Sequence, residues 1–156
     1  MANDLLRDDL YDHIPLTRAM KVEVGGIATS SLSLRAPIAP NINHRETVFG
    51  GSASALCILS AWSLIHCRLE QHREITPRIV IQRNSMDYLK PVLGEFTATC
   101  HLGSEKDWGF LLKALTRKKI GRIRLSSQLT SEGEHVGSFD GTFVVSDLSA
   151  SQKSIR

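Results

Sequence analysis

The spacing of apolar residues predicts two helices, a short one at the start of the chain and a long one near its middle. Apolar residues recur near helical spacing at Leu5, Leu6, Leu10 and Ile14. This pattern predicts an amphipathic helix over residues 4–13, which Pro15 closes. From Phe49 to about Glu70, apolar residues lie on nearly every side of a helical projection. Such a helix is normally enclosed, so we expect it at the centre of the fold.

Much of the remaining chain alternates between apolar and polar residues, which is typical of β-strands. Residues 20–35 predict a β-hairpin that turns at Gly25-Gly26. After Pro77, strands are predicted over residues 78–89, 95–102, 110–119, 122–131 and 135–146. Polar residues, glycines and prolines form the turns between them, and Trp108 is predicted to be a turn residue. This order predicts a single α+β domain over residues 1–146, with an antiparallel sheet wrapped around the long helix, and a polar tail over residues 147–156.

Composition excludes some classes of function. The chain has 156 residues, 42% of them hydrophobic, which is enough to form a core without disulfides or metal. A net charge of +3 and an aromatic content of 6% argue against a dedicated nucleic-acid-binding protein, because few side chains could stack on bases. Cys57, Cys67 and Cys100 have no metal-ligand spacing, so we expect reduced thiols in a cytoplasmic protein, with no metal and no cofactor.

A membrane span is the alternative interpretation of the long helix, because residues 47–67 contain no charged residue other than His66. Two glycines and four serines in this stretch argue against a span, and without it the chain would lack an obvious core. We therefore expect a core helix and no membrane association. The first 15 residues place acids on both sides of a short apolar patch, which does not match a signal peptide.

The loop PNINHRETVFGGS, residues 40–52, contains the candidate chemistry. Gly50 and Gly51 let the backbone approach a ligand where a helix begins and unpaired N–H groups point outward, which suits a carbonyl oxygen or an oxyanion. Asn41 and Asn43 could add an amide donor, and His44 could add another or act as a base.

The same loop also has a structural interpretation, and taken alone its residues favour it. Asparagines in a proline-rich loop often form Asx turns, and a glycine pair at a helix start can serve close packing of the helix on a sheet. Ser52 is typical of a capping or packing residue, since no base lies at a spacing that would make it a nucleophile.

Several motifs together resemble a known family. They are Asn41-x-Asn43, Thr47-Val48-Phe49-Gly50-Gly51-Ser52, Ala61-Trp62, Ile79-Val80-Ile81 and Tyr88-Leu89-x-Pro91-Val92. This combination resembles the hotdog-fold family of the YiiD C-terminal domain, whose descriptions run from thioesterase to malonyl-ACP decarboxylase of the MadA and MadB type. The resemblance covers residues 14–146, almost the whole chain.

The resemblance implies a hotdog fold and a homodimer that joins two sheets, with a further pairing into a tetramer left open. It implies that thioesters of acyl carrier protein or coenzyme A bind at the subunit interface near the helix start. It also makes Asn43 the leading functional residue, with the amide of Gly50 or Gly51 as its partner. With His44 added from the chemistry of the loop itself, the candidate catalytic residues are Asn43 and His44. The candidate substrate-binding residues are Asn41, Val48, Phe49, Gly50, Gly51 and Ser52.

The choice between hydrolysis and decarboxylation depends on a base. Many hotdog thioesterases carry an Asp or Glu on the central helix about two turns past the glycines, where this chain has LCILS at residues 56–60. Hydrolysis needs a general base, for which His44 and Glu46 are the substitutes in the same subunit. Thiolate attack by Cys57 needs a lowered pKa, which an apolar helix does not provide.

Decarboxylation of a malonyl thioester makes a different demand, because it leaves an enolate whose charge gathers on the thioester oxygen. Preorganised donors suffice to stabilise that oxygen. We therefore expect a decarboxylase in which Asn43 and the Gly50 and Gly51 amides bind the oxyanion and His44 delivers a proton. Thioester hydrolysis and non-catalytic acyl binding are the alternatives.

The densest basic run contains Arg117, Lys118, Lys119, Arg122 and Arg124. It could dock an acidic carrier protein or the phosphates of coenzyme A, as could Arg45 near the loop. On an alternating strand, however, such charges usually form a solvated face.

Overall fold

One antiparallel sheet organises the structure, a computed structural model that describes residues 1–149. Its strands are β1 (Glu23–Ile27), β2 (Ser31–Ala36), β3 (Pro77–Tyr88), β4 (Phe96–His101), β5 (Ile120–Ser131) and β6 (Glu134–Asp147). The helices are α1 (Ala2–His13), α2 (Pro15–Ala19), α3 (Gly50–Leu69) and α4 (Glu105–Lys118), and a 3-10 turn lies at Ala39–Asn41. The strand order is β1-β2-β4-β5-β6-β3, so β1 and β3 are the edges.

Helix α3 packs against one face of the sheet and contacts β2, β3, β4, β5 and β6. Side chains alternate along β5, with Ile123, Leu125, Ser127 and Leu129 buried and Arg124, Ser126 and Gln128 exposed. Leu56 and Ile65 of α3 are fully buried, and burial of each such side chain contributes about 1.5–3 kcal/mol. The predicted α+β arrangement, a sheet wrapped around one long helix, is confirmed.

By length and composition α3 could cross a membrane, with a mean hydropathy of 1.3 over its most apolar window. More than half of that window, 56%, is buried inside the protein. Its apolar character therefore serves the core of the domain, as the sequence predicts.

Helix α4 replaces the strand predicted over residues 110–119, which was wrong. The Ser104 hydroxyl accepts a hydrogen bond from the Asp107 amide at 3.1 Å and so caps the helix start. Trp108, Leu111 and Leu115 then bury one helical face, so the assignment of Trp108 to a turn was also wrong. The helix ends at Lys118, and Lys119 caps it with a φ of 61°. Arg117 and Lys118 of the basic run therefore lie on the last turn of a helix rather than on a strand.

The predicted hairpin at residues 20–35 exists, but Gly25-Gly26 is not its turn. Both glycines lie within β1, where the register with β2 shifts between Val24 and Gly26. The turn instead follows Ile27, and the Ala28 amide donates to the Ser31 carbonyl at 2.9 Å. A Cβ on Gly25 would lie 2.7 Å from the Ser33 Oγ, so the glycine permits a close crossing at this bulge.

Two features near the ends of the described chain differ from the prediction: a second helix follows α1, and β6 extends one residue beyond its predicted end. Pro15 closes α1 as expected, but it is also the first residue of α2. Strand β6 continues to Asp147, whose side chain is buried, so this residue belongs to the sheet rather than to the predicted tail. Residues 150–156 of that predicted tail lie outside the described residues.

Candidate functional site at the start of the central helix

Asn41 anchors the loop that leads into α3. Its side-chain amide donates to the Met20 carbonyl at 3.0 Å and to the Pro37 carbonyl at 2.8 Å, and the residue is 2% exposed. Its own carbonyl accepts from the Phe49 amide at 2.8 Å, which fixes the residue just before the helix. Both amide hydrogens of Asn41 are used within the fold, and its contact with a substrate stays a prediction.

Asn43 closes the tip of the loop. Its Oδ1 accepts from the backbone amides of Arg45 at 2.8 Å and Thr47 at 3.2 Å, and its Nδ2 donates to the Thr47 Oγ1 at 2.9 Å. These bonds have the Asx-turn pattern of the structural interpretation. A carboxamide has two N–H groups, so one hydrogen of the half-buried Asn43 side chain is free of this turn. His44 is exposed beside it.

The first turn of α3 has unpaired backbone donors. Among the described residues no side chain caps this helix, and its first internal bond runs from the Ala53 amide to the Phe49 carbonyl at 3.1 Å. Within residues 1–149, the amides of Gly50, Gly51 and Ser52 have no acceptor. Three N–H groups at the positive end of a 20-residue helix suit a partly negative oxygen.

A pocket of about 370 Å³ opens beside this helix start. Its lining comes from the loop and α3, from the end of β3 and the segment that follows it, and from the β5–β6 hairpin. The residues are Thr47, Val48, Gly50, Ala53, Tyr88, Leu89, Lys90, Pro91, Val92, Leu129 and Val136. Val48 and Gly50 are thus predicted site residues that line the pocket. The predicted residues outside this lining are Asn41, Asn43, His44, Phe49, Gly51 and Ser52.

Several pocket residues had no assigned role in the sequence. Tyr88 donates its hydroxyl hydrogen to the Gly50 carbonyl at 3.0 Å, and Lys90 is in the variable position of the Tyr-Leu-x-Pro motif. That motif pointed to the segment but not to its contacts. Leu129 and Val136 flank the β5–β6 turn and carried no indication of a site.

The middle of α3 provides no base. The helix contains no Asp or Glu from Gly50 to Leu69. Two turns past the glycines, Ser60 donates to the Cys57 carbonyl at 2.8 Å and lies 2.9 Å from the Ser127 hydroxyl, and all three residues are buried. Burial, together with the nearby Cys100, raises the pKa of the Cys57 thiol to about 12. A thiolate nucleophile is therefore disfavoured at this position.

Comparison with known proteins decides the family. Residues 3–147 match the family described as "Putative thioesterase (yiiD_Cterm)". The chain belongs to this family. The assignment confirms the resemblance seen in the loop and the Tyr-Leu-x-Pro motif, and it supports activity on acyl thioesters.

Solved structures agree with this family assignment. A protein of unknown function from Chlorobaculum tepidum superposes with a TM-score of 0.86 at 25% identity, and the match covers 94% of each chain. A structure described as a "putative thioesterase" from Shewanella oneidensis gives a TM-score of 0.80 at 26% identity, covering 91% of this chain and 95% of that one. A thioesterase from Haemophilus influenzae shares the fold at 14% identity, with a TM-score of 0.73 and coverage of 94% and 91%. The predicted hotdog fold is confirmed.

Proposed function

We propose that this yiiD_Cterm family protein decarboxylates a malonyl thioester of acyl carrier protein or coenzyme A to the acetyl thioester, which would prime fatty-acid synthesis. The observation that carries the proposal is the start of α3, where three unpaired amides stand beside an apolar pocket on a helix without a carboxylate. Oxyanion stabilisation without a base is what decarboxylation requires.

In this reaction the bond between the carboxyl carbon and the α-carbon breaks, and carbon dioxide leaves. The electron pair of that bond enters the enolate, whose negative charge gathers on the thioester oxygen. The amides of Gly50 and Gly51, with the free hydrogen of Asn43, are the proposed donors to that oxygen. Removal of one such donor typically lowers the rate about 100- to 1,000-fold. The enolate carbon then takes a proton, for which exposed His44 is the proposed source.

The pocket wall contributes through its dryness. Val48 and Val92 are 7% and 6% exposed, and Ala53 is 2% exposed. A carboxylate held against such a surface loses hydration, whereas the enolate oxygen keeps its donors at the helix start. This environment favours movement of charge away from the carboxylate.

Thioester hydrolysis is the second candidate function, and the family description favours it. Water would then need a base, and the candidates are His44 and Glu46, both exposed on the loop. A non-catalytic acyl-binding protein would keep the pocket and show no turnover.

The proposed assembly is a homodimer joined at β3. This strand is an edge of the sheet, and its side chain Val80 is 46% exposed. The unpaired backbone groups of an edge strand favour pairing with another strand. Joining two β3 strands would extend the sheet and place a second subunit close to the pocket, because β3 ends at Tyr88.

The proposed location of this enzyme is the cytoplasm, where acyl carrier protein and coenzyme A serve fatty-acid synthesis.

The test is incubation with malonyl-ACP and malonyl-CoA, followed by mass spectrometry of the thioester products. Accumulation of the acetyl thioester supports decarboxylation. Free thiol with intact malonate means hydrolysis, and unchanged substrate means acyl binding or another substrate.

Two substitutions at Asn43 separate its chemical and structural roles. Asn43→Asp keeps an oxygen for the Arg45 and Thr47 amides but removes the free N–H donor, so we expect turnover to fall about 100-fold with little change in melting temperature. Asn43→Ala loses the turn as well, so it should also lower stability by about 1 kcal/mol. Asn3→Asp adds the same charge at the distant α1 and should leave turnover unchanged. Full activity of Asn43→Asp would remove Asn43 from the mechanism.

A further inference from the structure

Lys90 is the one charged side chain in the lining of the pocket, as far as the described residues show. It follows β3, and the backbone amides of Leu89 and Lys90 both donate to the Val136 carbonyl, at 2.9 Å and 3.3 Å. The backbone is therefore fixed to the β5–β6 hairpin. With the backbone fixed, only rotation about the side-chain bonds of Lys90 changes where its ammonium group lies.

The Lys90 ammonium is paired with a carboxylate at the rim. Its Nζ lies 3.3 Å from the Glu134 Oε2, and the two side chains are 55% and 62% exposed. Ion pairs with this exposure contribute little net stability. The ammonium can therefore leave Glu134 for another anion at small cost.

We propose that Lys90 recognises a carboxylate at the free end of the acyl group, so that the pocket selects acyl thioesters of dicarboxylic acids. This inference rests on the proposed function in that an acyl thioester is the ligand. Gly50 and Lys90 line the same pocket of about 370 Å³, so a thioester whose oxygen lies at the helix start has one cationic residue among the described residues that line the pocket around it. The phosphate of the pantetheine arm lies at the far end of that arm, whereas the acyl carboxylate is two bonds from the thioester carbon.

The inference predicts a specific kinetic signature. During decarboxylation negative charge leaves the carboxylate and gathers on the thioester oxygen, so a cation at the carboxylate stabilises bound substrate more than the transition state. Loss of that cation should raise KM without lowering kcat. A merely structural role for the Lys90–Glu134 pair would not produce this separation.

Binding can be measured without turnover by using pantetheine analogues in which an amide nitrogen replaces the thioester sulfur. The malonyl and propionyl amides have the same length and differ in the terminal carboxylate, and neither carries a phosphate. The propionyl amide of phosphopantetheine carries a phosphate and no acyl carboxylate. Isothermal titration of the full chain with these three ligands separates the two sources of negative charge.

We expect the protein to bind the malonyl amide about three- to fivefold more tightly than the propionyl amide. Lys90→Met should abolish this preference, whereas Glu134→Gln should increase it because the ammonium loses its competing partner. Both substitutions break the same ion pair, so opposite changes in the malonyl preference would distinguish recognition of the carboxylate from simple loss of that pair. Arg18→Met and Asp12→Asn break another exposed pair, also 3.3 Å apart and outside the pocket, and should leave the preference unchanged.

Other outcomes overturn the inference. A malonyl preference that survives Lys90→Met, or an equal loss of affinity for all three ligands, would show that Lys90 does not read the carboxylate. A selective loss of the phosphorylated ligand would assign Lys90 to the phosphate instead. If the preference depends on Lys90 but no acetyl thioester forms, the inference holds and decarboxylation fails. If acetyl thioester forms and Lys90→Met leaves KM unchanged, decarboxylation holds and the inference fails.

Discussion

The Tyr88 hydroxyl donates a hydrogen bond to the Gly50 carbonyl oxygen at 3.0 Å. This contact joins the last residue of β3 to the first residue of α3, which are 38 positions apart in the chain. The tyrosine ring also lies 3.4 Å from the position that a Cβ on Gly50 would occupy, an ordinary contact distance, so the ring packs directly against the helix start. The end of the edge strand thereby positions the helix turn whose amides are the proposed donors.

Tyr88→Phe should lower turnover more than stability. The substitution keeps the ring and removes one partly exposed hydrogen bond, which costs about 0.5–1.5 kcal/mol at most. We expect kcat to fall about three- to tenfold because the first turn of α3 loses a restraint, and catalysis is sensitive to small displacements. Tyr11→Phe is a matched control, since its hydroxyl donates to the Val22 carbonyl at 2.9 Å outside the pocket. Equal kcat values for Tyr88→Phe and Tyr11→Phe would contradict this positioning role.

Cys57→Ala should preserve turnover, because burial raises the pKa of its thiol to about 12 and leaves almost no thiolate at neutral pH. Burial likewise raises the pKa of Cys100 to about 12 and that of the partly exposed Cys67 to about 11. A thiol reagent at pH 8 should therefore label Cys67 first in the native protein. Peptide mapping checks the order of labelling, and Cys67→Ala should remove the early phase. Fast labelling of Cys57, or loss of turnover in a folded Cys57→Ala variant, would reopen a nucleophilic role.

The sequence was sufficient for α3 and for most strands because each has a clear period. Apolar residues on every side predicted the enclosed helix to within one residue at each end, and alternation predicted β5 and β6. Helix α4 was missed because its apolar residues fit both a two-residue and a helical period over a short stretch. The capping Ser104, with Glu105 and Asp107 in the first turn, was the available evidence for a helix.

The pocket could not be predicted in the same way, because its residues are neighbours only through the sheet order β5-β6-β3. That order brings Leu129 and Val136 beside Tyr88 and Lys90. The loop was easier to predict, since asparagines in a proline-rich loop often form Asx turns, and Asx-type bonds are now seen at Asn43.

Arg68→Lys should destabilise the junction between α3 and α4. The Arg68 guanidinium binds both carboxylate oxygens of Glu105, at 3.1 Å and 2.8 Å, and lies 4.6 Å from the centre of the Trp108 ring. Lysine cannot replace the two-point contact with Glu105, and its ammonium does not reproduce the contact of the guanidinium with the Trp108 ring. We expect a loss of about 1–2 kcal/mol in urea denaturation. Arg73→Lys, at an exposed position, should change stability little, and equal effects of the two substitutions would contradict the assigned contacts.

Asp147 should make the protein sensitive to acid. Burial tends to raise the pKa of its carboxyl. Hydrogen bonds from the Ser149 and Thr76 amides, the Ser149 hydroxyl and Lys119 lower the pKa by more than burial raises it, so it lies well below its ordinary value of 3.8. A depressed pKa in the folded state means that the folded protein holds this proton less tightly than the unfolded chain. The resulting stability is present above the unfolded pKa and is lost as the pH falls toward the folded pKa. The free energy of unfolding should therefore decline below about pH 5.

Asp147→Asn is the test, because an amide keeps an oxygen for the Thr76 and Ser149 amides but loses the charge that faces Lys119. We expect a loss of about 1–2 kcal/mol at pH 7, since hydrogen bonds to charged groups are the stronger ones. Denaturant unfolding between about pH 7 and pH 2 should also show a smaller pH dependence for the variant, because a titrating group with a depressed pKa has been removed. Asp12→Asn removes an exposed carboxylate whose ion-pair partner is Arg18 and should leave the pH dependence nearly unchanged. If Asp147→Asn and the unmodified protein lose stability in parallel as the pH falls, another carboxylate controls the acid transition and the hydrogen bonds to Asp147 do not.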